Sequence, residues 1–459
     1  MSRSRRVVRT VAALVVLASI SALASGYVAS NSEAAAGSPP AADTGVADRD
    51  GVTVIATDSN AWLQDEGEDP RANAELIAYA PNGSLLYYND SHDRYWDVDP
   101  SPLGERTVTY AASIHLSGAE CGAETVCTRN VIERVNLTTG AVTRLYARET
   151  PHKHATRWHD VDRLNGSRFL IADIYRDSVT VVDVETGLVE WEWRALSAFD
   201  PESGGPFPRD WTHLNDVEAV GDRRYMASVR NHDQVVFLDR ERGLVENWTL
   251  GSDGDLDTLH MQHNPDYIPA ERGGPAVVVA DSENNRLVEY RRTGGEWRRA
   301  WQWRDARLQW PRDADRLPNG NTLVTDSNGN RVLEVAPNGT VVWQVAVGFP
   351  YEAERLSTGD ESAGGPAADR AGLDSRSARG SGDGSATDSI VGRLWLGIKG
   401  HVPGPLLNAV VYVVPGWIGP LESVALVAFC TSTLAWLALE WRWSPYTLRW
   451  SRPFEVRRK

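Results

Sequence analysis

The stretch "WHDVDRLNGSRFLIADIYRDSVTVVDVETGLVEWEW", Trp158 to Trp193, decides the fold. It reads as an Asp-x-Asp segment and a turn, then an apolar strand and a polar turn. A second strand, a Gly turn and a Trp-bearing strand complete it. "LNDVEAVGDRRYMASVRNHDQVVFLDRERGLVENWTL" from Leu214 and "PRDADRLPNGNTLVTDSNGNRVLEVAPNGTVVWQV" from Pro311 stack on it with little adjustment. A fourth copy with a longer first turn starts at Asn264, and a fifth opens at Trp96 and closes with "NVIERVNLTTGAVTRLYA". A worn copy lies near Val52–Asp90. The aligned aspartates Asp97, Asp160, Asp216, Asp266 and Asp313 recur roughly every 47 to 63 residues, the spacing of a four-stranded propeller blade. Short strand runs bounded by N-G and T-G turns exclude a helical repeat. Six copies predict an all-β, six-bladed β-propeller over 51–350.

The flanks carry different signals. Residues 1–30 hold Arg3, Arg5, Arg6 and Arg9 before an uncharged apolar run, which reads as a signal anchor or a cleaved signal peptide. Near the other end, 423–441 reads as a transmembrane helix followed by a basic tail, 442–459. The positive-inside rule places that tail in the cytoplasm and the propeller outside the cell membrane. Residues 402–421 are apolar but broken by Pro415 and read as an interfacial segment. Residues 351–392, rich in Gly, Ser, Ala, Asp and Arg, read as a disordered linker. Cys121 and Cys127 share one loop and are placed to pair in an oxidising compartment.

Net charge is −15, from 62 acidic against 47 basic residues, which argues against a nucleic-acid partner. Lysine occurs only at Lys153, Lys399 and Lys459. An acidic, lysine-poor chain suits a halophile, and a high-GC genome would also favour Arg over Lys.

Only ten histidines occur in the 459 residues, and three fall in register. His159 stands immediately before Asp160, His213 three before Asp216, and His263 three before Asp266. Positions just before inner strands converge on one mouth of the propeller channel. Asn215 and Arg230 sit beside them, and Arg312 occupies the His159 position in the last blade. One such histidine alone would more often be a satisfied structural residue; three in register point to a site. His260, His152, His154, His92 and His115 read as loop residues, and His232 is open. Trp158, Trp211 and Trp310 read as inter-blade packing, with stacking on an aromatic ligand the lesser alternative. Imidazoles beside a guanidinium suit a small oxyanion better than a metal, because a cation beside a metal is unfavourable. No metal and no cofactor are expected.

The runs "HD-x-x-x-L", "W-x-H-x-N-D-V", "S-x-R" and "QH-N" resemble the arylsulfate sulfotransferase family, bacterial enzymes that work without a nucleotide sulfate donor. The resemblance covers Trp158 to Pro350 well and Gly51 to Glu149 poorly. It implies a six-bladed propeller that moves a sulfuryl group from a phenolic sulfate ester to a hydroxyl acceptor through a sulfohistidine. It also implies that His263 is the nucleophile, while His159, His213, Asn215 and Arg230 bind sulfate and one histidine protonates the leaving phenolate. The family's N-terminal dimerisation domain has no counterpart in the few residues before the first blade. Two other readings stand beside it: a non-catalytic extracellular propeller binding a glycan or protein, and a metal-dependent lyase or hydrolase with the three histidines as ligands.

Overall fold

In a computed structural model the described residues are 3–36, 51–59, 73–101, 106–122, 125–221, 223–305, 308–358, 364–376, 394, 397, 401–414, 417–449 and 455–458. The chain divides into two units. One comprises 39–383 with 402–413, and the other 1–38, 384–401 and 414–459.

The larger unit is a six-bladed β-propeller. Blades 2 to 6 follow the chain, with inner strands Arg94–Pro100, Trp158–Asn165, Leu214–Ala219, His263–Ile268 and Pro311–Arg316. Blade 1 is composite. Its inner strand is Pro350–Arg355, paired antiparallel with Thr53–Thr57, so the two ends of the propeller close one sheet. The linker expected over 351–392 is corrected here, since its first residues are an inner strand. Ala367 and Ala368 also pack against blades 5 and 6, and the Ala368 N–H donates to Glu289 Oε1 at 2.9 Å. The remainder of that segment, 377–392, lies outside the described residues.

There is no single core. Strand residues alternate between the two neighbouring blades. In blade 3, Phe169 and Ile171 join Trp96 and Ile132 of blade 2, while Leu170 and Ala172 join Leu214 and Val236 of blade 4. Each pair of adjacent blades encloses one such apolar cluster. Cys121 and Cys127 form a disulfide.

The expected interfacial segment is in part a helix of this same unit, Gly404–Val413. Its Asn408 donates to Glu283 Oε2 at 2.9 Å and accepts from Gln309, both on propeller loops. That polar seat explains why an apolar stretch is held on protein.

The smaller unit contains two helices long and apolar enough to cross a membrane, at Ser4–Val28 and Leu421–Trp443. They lie antiparallel: Arg9 pairs with Glu440 at one end, and Tyr27 meets Trp417 edge-on at 5.6 Å near the other. The basic tail contains a short hairpin, Tyr446–Arg449 with Glu455–Arg458.

Candidate functional site

The same irregularity occurs in all six inner strands. Strand pairing skips Trp96, His159, Asn215, Asn264 with Pro265, Arg312 and Tyr351, each directly before a ring acid. A β-bulge re-aims the extra residue away from the ladder. The six bulges therefore supply a second ring, above that of Asp97, Asp160, Asp216, Asp266, Asp313 and Glu352. Positive φ also occurs here at His213 (48°) and Trp310 (54°), and within the blade-5 bulge at Asn264 (30°). Such conformations cost about 1–3 kcal/mol each and persist where the surroundings enforce them.

A cavity of 880 Å³ opens over this ring, with Trp96, His159, His213, Arg157, Arg230, Trp310 and Arg312 among its wall residues. His159 and His213 rings are 5.2 Å apart, and His159 lies 4.2 Å from Trp96. His263 is buried just outside the wall, 6.0 Å from Trp310 and 6.1 Å from Tyr351. Asn215 is also buried, its amide donating to the Gln262 carbonyl at 2.9 Å. Arg230 is oriented by Asn231, which accepts from both Nε and an Nη.

Hydrogen bonds assign the histidine tautomers. Ser282 Oγ lies 2.7 Å from the Pro311 carbonyl and 2.8 Å from His263 Nδ1. The carbonyl only accepts, so the single hydroxyl proton goes there and His263 Nδ1–H donates to Ser282. The His263 lone pair is then on Nε2. At His159, Arg157 Nε–H donates to Nε2 at 3.3 Å and Nδ1 meets the Tyr351 hydroxyl, so both ring nitrogens are engaged. His213 Nδ1 pairs with Asp210.

All three imidazoles are held neutral. Burial, then Arg312, Arg230 and His213, pushes His263 well below the usual imidazole range, with the Met261 carbonyl opposing weakly. Burial and Arg157 do the same for His159. At His213 burial and Arg230 outweigh Asp210 and leave a pKa of about 4. Positive charge therefore resides on the arginines. Arg312 lies over Trp310 (4.6 Å), Phe349 (4.7 Å) and Tyr351 (4.7 Å) and pairs with Asp58 at 3.2 Å.

His159, His213, Arg230 and Arg312 thus share one cavity wall, with His263 and Asn215 buried beside it. Several sequence-based readings need correction. His152 and His154 lie in a loop as read, and that loop and Trp310 also line the cavity. His115, read as a loop residue, lies in the strand Thr107–Leu116. His232 is buried between Phe199 (4.6 Å) and Trp211 (5.6 Å), away from the wall. His260 stays in its loop. Tyr351, Asp210, Ser282 and Arg157 escaped the sequence reading. Only Tyr351 carried a usable signal: "YEAE" at 351–354 aligns with "HDVD" at 159–162. Among the described residues the three histidines do not form a group able to share a metal ion, whereas Asp97, Asp160 and Glu352 do.

Residues 159–263 match the family model described as Arylsulfotransferase (ASST), a span that begins at one site histidine and ends at another. The match supports an arylsulfotransferase assignment and small aryl donor and acceptor substrates. No curated protein matches the chain. Similar solved structures include a periplasmic gluconolactonase from Pseudomonas aeruginosa (14% identity, TM-score 0.43, 67% of this chain and 99% of that one). A putative 6-phosphogluconolactonase from Bacteroides fragilis gives 11% identity and a TM-score of 0.42, over 66% and 97% of the two chains. Catalytically inactive virginiamycin B lyase from Staphylococcus aureus gives 8% and 0.38, over 66% and 87%.

Proposed function

We propose that the propeller transfers a sulfuryl group from a phenolic sulfate ester to a hydroxyl acceptor through a sulfohistidine at His263, without a nucleotide donor. The observation that carries this reading is that the neutral imidazoles of His159 and His213 share a cavity wall with the guanidinium groups of Arg230 and Arg312, with neutral His263 buried beside it. The family match spans the three histidines and Arg230. An uncharged Nε2 is a nucleophile, and fixed cations stabilise the charge that develops on the sulfuryl oxygens.

In the first half-reaction the His263 Nε2 lone pair bonds to sulfur, and the S–O bond to the phenol breaks with its electron pair leaving on oxygen. Ser282 keeps the Nδ1 proton in place. Arg230 and Arg312 hold the sulfuryl oxygens and Asn215 orients them, while His159, engaged through both ring nitrogens, keeps Arg157 and Tyr351 in place beside them. An anion bound beside Arg230 offsets the charge that depresses His213, while Asp210 continues to favour its protonation. His213 then takes up a proton on binding and passes it to the departing phenolate. In the second half the acceptor oxygen attacks sulfur, the N–S bond breaks, and the acceptor proton goes to His213. His263 is buried and is not a wall residue, so the wall must open for the donor to reach it.

The paired terminal helices support a protein anchored in the cell membrane at both ends, with the propeller on the extracytoplasmic side and both arginine-rich ends in the cytoplasm.

The test is release of 4-nitrophenol from 4-nitrophenyl sulfate by the full chain in detergent, with phenol as acceptor. Acceptor-dependent turnover is expected, together with an added sulfuryl mass on the His263 peptide in acid-quenched donor mixtures. His263→Ala should abolish both. Turnover that survives His263→Ala refutes the assignment. A folded protein without turnover that instead retains a glycan or protein ligand would favour the binding module.

A further inference from the structure

We propose that the channel directly beneath the site binds one calcium ion through Asp97, Asp160, Glu352 and the side-chain oxygen of Asn264. The proposal is independent of the transfer reaction. Ligand oxygens of the three carboxylates lie within 4.8 Å of one another, and all three side chains are buried. They come from blades 2, 3 and 1.

One oxygen of each carboxylate has a structural duty. Asp97 Oδ2 accepts from the Val161 N–H at 3.2 Å, Asp160 accepts from the Val217 N–H, and Glu352 Oε1 accepts from the Val98 N–H at 3.0 Å. Each bond ties a blade to the next or, through Glu352, blade 1 to blade 2. These duties account for half of the oxygens. Asp97 Oδ1 has no donor among the described residues, and no Arg or Lys is ion-paired there with any of the three acids. An independent observation comes from blade 5. Asn264 is 8% exposed and donates from Nδ2 to Glu352 Oε2 at 3.1 Å, while its Oδ1 has no partner among the described residues; turning the amide end for end brings that oxygen to the acids. A buried amide oxygen left unpaired costs about 1–3 kcal/mol.

Three carboxylates and an amide carbonyl form an all-oxygen donor set. Calcium takes such oxygens in irregular geometry, whereas magnesium demands a near-ideal octahedron and transition metals favour nitrogen or sulfur. The ligands immediately follow Trp96, His159 and Tyr351, so an ion here fixes the backbone that presents the site floor.

The experiment uses the full chain in detergent, desalted into chelator-treated potassium chloride buffer. Elemental analysis should find about one calcium per chain. Removal by EGTA should lower the melting midpoint, and calcium at a hundredfold excess over Kd should restore roughly 5 °C. Asp97→Asn should lose the calcium, while Asp183→Asn, a change at a half-buried strand end outside the cluster, should keep it. If Asp97→Asn fails to fold, the wild-type metal content and EGTA response still decide the matter. A chain without stoichiometric calcium whose midpoint responds to neither EGTA nor calcium overturns the proposal, as does magnesium bound in its place.

Discussion

The proposed role of His213 carries a measurable pH signature. In the free protein burial and Arg230 keep its pKa near 4, below the ordinary imidazole value of 6.5. If protonated His213 assists departure of a poor leaving group such as unsubstituted phenol, kcat/KM should fall as pH rises above about 4. The free protein loses the required proton there. In the complex the bound anion offsets Arg230, so kcat should hold to a higher pH. Profiles of kcat and kcat/KM that break at the same pH would contradict this. Asp210 raises the His213 pKa, so Asp210→Asn should move the kcat/KM limb lower and reduce kcat by about 10²-fold, the usual scale for impaired acid–base assistance. At this scale the sequence was informative where chemistry follows a fixed offset. His159, His213 and His263 precede ring acids by one or three residues and could be found by alignment. Asp210 and Ser282 reach the site from turns whose geometry no repeat dictates, so nothing in their spacing marked them. His152 and His154 sit in the short connection 152–157, and that this loop lines the cavity shows only in three dimensions.

Strands and their bulges carry the next level of argument. Four of the five sequential inner strands were found from "D-x-D/E" alone, and the blade-5 strand by its longer first turn. The closing strand was missed because Tyr351-Glu352-Ala353-Glu354 uses the longer acid and follows the last recognisable blade, next to a polar segment. Its N–H groups are committed: Ala353 donates to Asp313 Oδ2 at 3.1 Å and pairs with Ile55. Ala353→Pro removes the N–H that donates to the Asp313 carboxylate and should cost about 1.5–3 kcal/mol. The readout is a lowered melting midpoint with early proteolytic release of the Thr53–Asn89 hairpins. An unchanged midpoint would show that closure does not depend on this strand.

Over the whole molecule, composition and patterning revealed the class of fold and its two apolar ends, but not how those ends associate. Arg9 and Glu440 are over 400 positions apart and their pairing has no local signature. The proposed anchoring at both ends requires that the N-terminal helix is retained. Intact mass of the protein from membranes should therefore include residues 1–30, and a mature chain beginning after Ala24 would refute it. The acidic excess predicts that the melting midpoint rises when potassium chloride is raised from low to molar concentration, as counter-ions screen like-charge repulsion. A midpoint that falls over that range would count against the halophilic reading.

The composite first blade also has a consequence for the order of events during synthesis. Tyr351 and Glu352 are delivered some three hundred residues after Thr53, with which their strand pairs. A chain emerging from its amino end can complete five blades while the channel still lacks one wall. His159 then has no Tyr351 hydroxyl, Arg312 lacks one aromatic face, and the acid ring is short one member. On the proposed mechanism, His263 and the arginines become a working set only after the last strand has docked. A chain truncated before Tyr351 is therefore expected to be inactive without any separate inhibitor.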